Sequence, residues 1–293
     1  MVAHALGGAT DLEVVSTNHR GHARELAAAS VGYDLVIGFG GDGTINEVVN
    51  GLVDVEIGRS RGPRLGVIPG GNVNVFARAA GIASDPSEAT EQLIESIASD
   101  RTRALNLGYL RWRENDLTQT RIFNFCAGLG FDAAVVHKVD RLRKRGNRSS
   151  LALYLAVTGK ALIDVARMGG ARPITLVSAE QGRKQLAVVL ITSTDPWTYL
   201  KDRPLRPTPR ASFDSGVDMM AITSGTASAL FNATQILLRG RTPHGRSILH
   251  LHDQRLIILE GATALPLQAD GEAIGFAERV EIYDLPKALE IHY

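Results

Sequence analysis

Cysteine is almost missing from this sequence. Its single thiol, Cys126, leaves no internal disulfide to form, so a reducing compartment, the cytoplasm, is the expected setting. Charge of one sign is missing too. The chain carries 32 basic and 31 acidic side chains, a net +1, which argues against wholesale binding of nucleic acid. No apolar run reaches the roughly 18 residues of a membrane span. The best candidate, residues 151–168, is interrupted by Lys160 and Asp164 and reads as an amphipathic or buried helix. The first residues lack the basic region, apolar core and cleavage site of a secretory signal. The 8 histidines form no metal-type cluster. His250 and His252 share one face of an expected strand, but no third ligand accompanies them and no zinc is assigned. There is no internal repeat. What remains is a globular composition, 44% hydrophobic and 22% charged over 293 residues, enough for two ordinary domains or one large one.

The first third alternates strand and helix patterns. Residues 12–16 (LEVVS) are β-rich, 22–31 helical, and 34–39 (DLVIGF) an apolar strand of the kind buried in parallel sheets. Ile45, Val48, Val49 and Leu52 then make an i, i+3, i+4, i+7 stripe. A second apolar strand, 64–69, leads into a helix that Gly81 is placed to stop. A third helix opens at Asp85, with Pro86 at its first position and Glu88 three residues after the Asp. This predicts a doubly wound α/β domain over residues 1–105. Residues 106–293 read as a β-rich, sandwich-like domain of short strands, with helices near 131–168 and 225–239 and a C-terminal tail free to return to the first domain. The proline-rich tract 193–216 is long for a plain connection.

Two glycine-rich bends carry the chemistry. In FGGDGTINEVVNG (39–51) a strand gives way to a helix through glycines. Such a bend points backbone N–H groups and the positive helix end at one spot, which suits a phosphate. Glycine lets the backbone approach closely. Asp42 inside this loop makes sense if a divalent cation lies between it and phosphates. The plainer alternative is a capping box of Thr44 and Glu47. VIPGGNVNVFARAAG (67–81) repeats the arrangement one βα unit later. Adjacent parallel strands would bring both loops to the carboxyl edge of the sheet, where open α/β sheets bind ligands. The alternative there is that Asn72 or Asn74 caps a helix. ADGEAIG (269–275) reads by itself as a tight Asp-Gly hairpin.

Taken together, GGDGTINEVVNGL (40–52), GVIPGGNVNVFARAAGI (66–82), FNFCAGLGFDAAVV (123–136) and LQADGEAIG (267–275) resemble the diacylglycerol kinase catalytic-domain family, in its order and spacing. That family includes bacterial lipid kinases and sphingosine kinases. GGDGT alone is shared with NAD kinases, so an NAD kinase-like enzyme, or a homologue that binds nucleotide or lipid without catalysis, stays open as an alternative. The resemblance implies an α/β nucleotide-binding domain, a β-rich domain and an active site in the cleft between them. It also implies transfer of the γ-phosphoryl group of ATP, with Mg²⁺, to a lipid hydroxyl, diacylglycerol being the default acceptor. Carried over by position, Gly40, Gly41, Asp42, Gly43 and Thr44 line the phosphates, with Asn46 and Glu47 nearby. Gly70, Gly71, Asn72 and Asn74 supply the second wall, and Thr17 contributes to the nucleotide pocket. Asp270 and Glu272 face the γ-phosphate, one of them taking the proton of the attacking hydroxyl. On this reading Asp270→Asn leaves ATP binding nearly intact and lowers turnover by orders of magnitude.

The chain departs from the family pattern in three places. Asn72 and Val75 stand where the second loop of the family has Thr and Asp. A structural Mg²⁺ held in some members by a DDG-like turn has Ser215 in the key place, flanked by Asp214 and Asp218: either a neighbouring acid substitutes or the ion is absent. The first family strand and its Asn-Pro loop have no counterpart, and MVAHALGG resembles the end of the first family helix. Losing that strand is expected to leave its neighbours unpaired, with weak folding and poor ATP affinity. A misplaced start codon or a trimmed chain is the expected explanation, and translating the DNA upstream of Met1 tests it.

Beyond the loops, Arg141, Arg143, Lys144, Arg145 and Arg148 fall within eight residues. They read either as a solvated surface or as a contact with an anionic membrane, at about 1 kcal/mol per charge. The expected partners are thus a lipid substrate at the inner membrane surface and no nucleic acid, with a homodimer open. Trp197 and Tyr199 fit ordinary packing or lipid admission equally.

Overall fold

The computed structural model describes residues 6–8, 11–144, 174–178, 182–200, 203–223, 231, 234–235 and 238–293. The remainder of the expected helices at 131–168 and 225–239 falls largely outside these residues, as do Arg145 and Arg148. The chain forms two compact units, Met1–Leu107 with Leu285–Tyr293, and Gly108–Asp284.

The first unit is built from α1 (His22–Ala29), β1 (Leu35–Gly40), α2 (Asp42–Leu52), β2 (Arg64–Pro69), α3 (Val75–Ala79) and α4 (Pro86–Ala98). β1 and β2 pair in parallel, Leu35 opposite Arg64 through Gly40 opposite Pro69. This puts the two glycine bends side by side. The stripe Ile45, Val48, Val49 and Leu52 is buried as its spacing requires. A Cβ on Gly38 would meet Ile45 of α2, whereas one on Gly66 would meet Leu93 of α4 and Ile37. Neighbouring positions of a strand point to opposite faces, so α2 and α4 cover opposite faces of the sheet. This is double winding. Asp85 caps α4 through the Ser87 and Glu88 N–H groups at 2.8 and 3.2 Å, and Gly81 has φ +81° beyond α3.

Residues 12–16 are not a strand. They are irregular, and Val14 and Val15 are exposed. A strand needs a ladder partner, and among the described residues β1 is paired along one edge only, by β2.

From residue 102 the chain runs through β3 (Thr102–Glu114), β4 (Leu117–Phe123), β5 (Cys126–Leu129), α5 (Phe131–Lys144), β6 (Ile174–Ser178), β7 (Gly182–Leu186), β8 (Val188–Thr192), β9 (Val217–Ile222), β10 (Ile248–Gln254), β11 (Leu256–Ala269) and β12 (Glu272–His292). The division into units falls within β3 and within β12. In the second unit the antiparallel order is β12-β11-β5-β8-β9-β10, with β6 also on β11. One face, including Ala127, Leu129, Val189, Ile191, Met219, Leu267 and Ala269, is the hydrophobic core. The alternate positions of the same strands hold buried polar residues, among them Asn124, Thr192, Thr194, Asp218, Gln268 and Asp270. The segment TRIFNFCAG (120–128), strand-like in composition, is broken at Asn124 and Phe125. The tract 193–216 contains a small hairpin of 198–200 with 203–205.

Candidate active site

In the first unit the two glycine bends are in backbone contact. The Gly70 N–H donates to the Gly40 carbonyl at 2.8 Å. Helix α2 begins with Gly41 as its N-cap and no side-chain cap. Its leading N–H groups are therefore left for a ligand, the arrangement that attracts phosphate. The capping box of Thr44 and Glu47 does not form. Thr44 lies inside the helix, and Glu47 Oε1 accepts from the Gly21 N–H at 2.8 Å, tying α2 to the start of α1. Asn46 is fully buried and hydrogen-bonded to Asn50.

Asn74 shapes the second bend. It sits in the left-handed region at φ 50°, accepts from the Gly71 N–H and donates to the Gly71 carbonyl, both at 2.9 Å. Gly70, Gly71 and Asn72 remain exposed, and Thr17 is exposed on the irregular stretch before α1. Asp42 joins the loops, its Oδ1 accepting from the Phe76 N–H at 3.1 Å. Burial raises its pKa, opposed by the N–H groups of Val75, Phe76 and Asn74.

These residues fit a nucleotide phosphate: the cradle is lined by backbone, and side chains at Gly41 and Gly71 would fill it. For Mg²⁺ they supply one carboxylate. Among the described residues no group of three or more His, Cys, Asp or Glu could hold a metal alone. One carboxylate plus substrate phosphates is an ordinary Mg²⁺ environment, so the fit depends on the nucleotide.

In the second unit Asp270 and Gly271 form the two-residue turn between β11 and β12, with φ +47° and +76° and Ala269 opposite Glu272. Both values suit the type I′ hairpin. The hairpin reading is therefore right, and Asp270 does more than turn. Its carboxylate is buried and accepts three backbone N–H groups, from Asn124 at 2.7 Å and from Phe125 and Cys126 at 3.0 Å. The break in the 120–128 segment is the place where this carboxylate takes the amides. Glu272 pairs with Arg121 at 3.2 Å and is the more accessible acid.

The acids at 214 and 218, expected at a structural Mg²⁺, are not part of a group of three or more His, Cys, Asp or Glu among the described residues. Asp218 is buried, with its carboxylate on His252 Nδ1 at 2.8 and 3.0 Å and on the Asp253 N–H at 3.0 Å. Asp253 in turn accepts from the Gly216 N–H at 2.7 Å, and Asp214 is exposed beside Ser212. The turn is held by a His–Asp pair in place of a gathered acid cluster. Arg121, Asn124, His252 and Asp253 escape a reading of the sequence, because only pairing across strands gives them roles. Asn124 at least lies within the quoted segment FNFCAG.

Residues 2–107 match the family model described as the diacylglycerol kinase catalytic domain. The chain is similar to a diacylglycerol kinase of Bacillus subtilis (strain 168), 26% identical over 275 residues, 89% of this chain and 79% of that protein. Over 63 residues, 22% of this chain and 19% of the relative, it is 49% identical to a diacylglycerol kinase of Staphylococcus aureus (strain JH9). A crystal structure of a diacylglycerol kinase from Bacillus anthracis str. Sterne shares the fold, with TM-score 0.67 and 19% identity across 99% of this chain and 88% of that one. Paired glycine bends, the order of the motifs and these likenesses agree: residues 2–107 match the diacylglycerol kinase catalytic domain, and the chain as a whole is similar to diacylglycerol kinases.

Proposed function

We propose that this protein is a lipid kinase that transfers the γ-phosphoryl group of ATP to the hydroxyl of diacylglycerol, giving phosphatidic acid. The observation that carries the reading is the backbone contact of two glycine bends at the ends of adjacent parallel strands, a geometry that suits a triphosphate. In this reading the N–H groups of Gly41, Asp42, Gly43 and Thr44 meet the phosphates. Gly40 and Gly70 let the bends close on each other, Gly71 and Asn72 form the second wall, and Asn74 sets its shape. Thr17 contributes to the nucleotide pocket, while Asn46 and Glu47 hold α2 in place. Asp42 with phosphate oxygens holds Mg²⁺, which when bound neutralises charge on the transferring group.

On the acceptor side Asp270 fixes the turn and Glu272 takes the proton from the attacking hydroxyl, a role open to a carboxylate within hydrogen-bond reach. Arg121 orients Glu272. Arg141, Arg143, Lys144, Arg145 and Arg148 supply the charge that draws the enzyme to an anionic cytoplasmic membrane surface. No helix among the described residues is long and apolar enough to cross a membrane.

The test is incubation with γ-labelled ATP and Mg²⁺ in the presence of diacylglycerol, a sphingoid base or NAD. Labelled phosphatidic acid is the expected product. Label on NAD instead would favour the NAD kinase alternative, and nucleotide binding without transfer to any acceptor would mark a non-catalytic homologue.

A further inference from the structure

Among the buried polar side chains that the second unit leaves unsatisfied are Asn124 and Thr194. The Asn124 amide has neither a donor for Oδ1 nor an acceptor for Nδ2, and Thr194 Oγ1 also lacks a partner. Both residues are buried, at 0% and 1% exposure. Extending the neighbouring ladder sets their backbones opposite each other. The β5–β8 ladder sets Cys126 opposite Thr192 and continues through the Ser193 N–H, which donates to the Phe125 carbonyl at 3.1 Å. One step further on, the same register places Thr194 opposite Asn124. Directly opposed residues of an antiparallel pair project to the same face with neighbouring Cβ atoms.

The backbone around the pair is fixed. The Asn124 N–H donates to Asp270 at 2.7 Å, and the Asn124 carbonyl accepts from the Ser193 hydroxyl at 2.8 Å. These anchors hold the main chain of Asn124, and buried polar groups left unsatisfied are rare enough to need a reason.

The chemistry of the pair restricts its ligand. An amide presents one donor group and one acceptor, and a hydroxyl presents both. A metal ion on Oδ1 and Oγ1 would leave the Asn124 NH₂ without an acceptor, and a phosphate oxygen would leave Oδ1 unpaired. A group that both donates and accepts is required, and water and an alcohol are the smallest that do. Asn124 is also one hydrogen bond from Asp270, at the end of the unit to which the acceptor chemistry is assigned above.

We propose that Asn124 and Thr194 form a hydroxyl-binding subsite that takes an alcohol of the acceptor. The proposal rests on reading this chain as a phosphotransferase to an alcohol. Unoccupied, the pair carries the penalty of unsatisfied polar groups. An entering hydroxyl removes that penalty as it binds, so it gains more than an exchange of one hydrogen bond for another. Water satisfies the same groups, so the two sources need separate tests.

Thr194→Val keeps the shape and deletes the hydroxyl. With 1,2-dioctanoylglycerol as acceptor, its KM is expected to rise at least tenfold while the KM for ATP and the melting temperature hold, and Thr194→Ser should restore it. Asn124→Leu should act in the same direction. Should that variant misfold, the Thr194 pair still decides. Calorimetric binding of dioctanoylglycerol to the wild type and to Thr194→Val gives the same comparison without turnover. A wild type that transfers phosphate to no acceptor but loses dioctanoylglycerol binding on Thr194→Val would spare the subsite and sink the kinase reading. An unchanged acceptor KM, or unchanged binding, overturns the subsite and leaves the kinase reading standing. A crystal structure with the acceptor bound elsewhere and water retained between Asn124 and Thr194 would likewise overturn it, reducing the pair to a hydration site.

Discussion

Gly41 and Gly71 touch across the two phosphate-type loops. A Cβ on Gly71 would stand 2.7 Å from the Gly41 Cα and 2.8 Å from Asn74 Oδ1, and one on Gly41 would stand 3.2 Å from the Gly71 Cα. Neither glycine needs a positive φ, so the constraint is space. Gly71→Ala pushes backbone against backbone and displaces the Asn74 side chain that shapes the bend. ATP affinity, measured by calorimetry, is expected to fall at least tenfold, with a smaller loss for Gly41→Ala. Melting curves without nucleotide separate this from unfolding. Unchanged affinity in Gly71→Ala would show that the bends do not cradle the nucleotide.

Gly51 lies inside α2, where alanine would ordinarily add about 1 kcal/mol of helix stability. Here a Cβ would come within 2.4 Å of the Arg24 carbonyl oxygen and 2.7 Å of the Ala27 Cβ, both on α1. Contact with a backbone atom cannot be relieved by rotating a side chain. Gly51→Ala is therefore expected to destabilise the protein by about 1–3 kcal/mol, the usual range for overpacking. A lower urea midpoint with an unchanged slope would record it, and a raised midpoint would show that the helices part freely.

The parts of this fold legible in the sequence are those set by local pattern. The stripe Ile45–Leu52 and the Asp85 cap can be read because spacing and side-chain type specify them without a partner. Residues 12–16 have the composition of a strand and no strand structure, since a strand exists only through its neighbour. Thr44 and Glu47 have the spacing of a capping box, yet the helix starts three residues earlier and Glu47 is drawn to Gly21. The acids at 214 and 218 look like ligands in the sequence, whereas strand pairing places His252 against Asp218. Local signals were readable, and cross-strand ones were not.

Asp270 and Glu272 should separate structure from chemistry. Three N–H groups converge on the Asp270 carboxylate. An asparagine there offers one oxygen and turns its NH₂ against the remaining donors. The clean catalytic knockout expected from the sequence thus becomes a fold mutant as well: Asp270→Asn is expected to lower the melting temperature, each orphaned N–H costing about 1–3 kcal/mol. Glu272→Gln gives up the charge that pairs with Arg121. It should melt near the wild type while kcat falls about 100- to 10,000-fold, the usual range for loss of a general base. A stable Asp270→Asn, or a fully active Glu272→Gln, would reverse the assignment.

His292 gives the protein a pH dependence of definite sign. Its ring is buried near the end of the chain, with Nδ1 3.2 Å from Ser96 Oγ, and that hydroxyl also receives the Tyr293 N–H at 3.1 Å. Burial lowers its pKa, and the Arg64 guanidinium lowers it further. A depressed histidine pKa means that the folded chain prefers the neutral ring while the unfolded chain takes up the proton first. The contribution of this residue to stability is therefore complete above the unfolded value of about 6.5 and is lost as pH falls from there through the folded value. Melting curves recorded between about pH 7.5 and 5.5 should show a decline that flattens in His292→Gln, which has no ring to protonate. Parallel declines in the two proteins would assign the acid sensitivity to another group. A wild type that gained stability on acidification would contradict the burial of the ring itself.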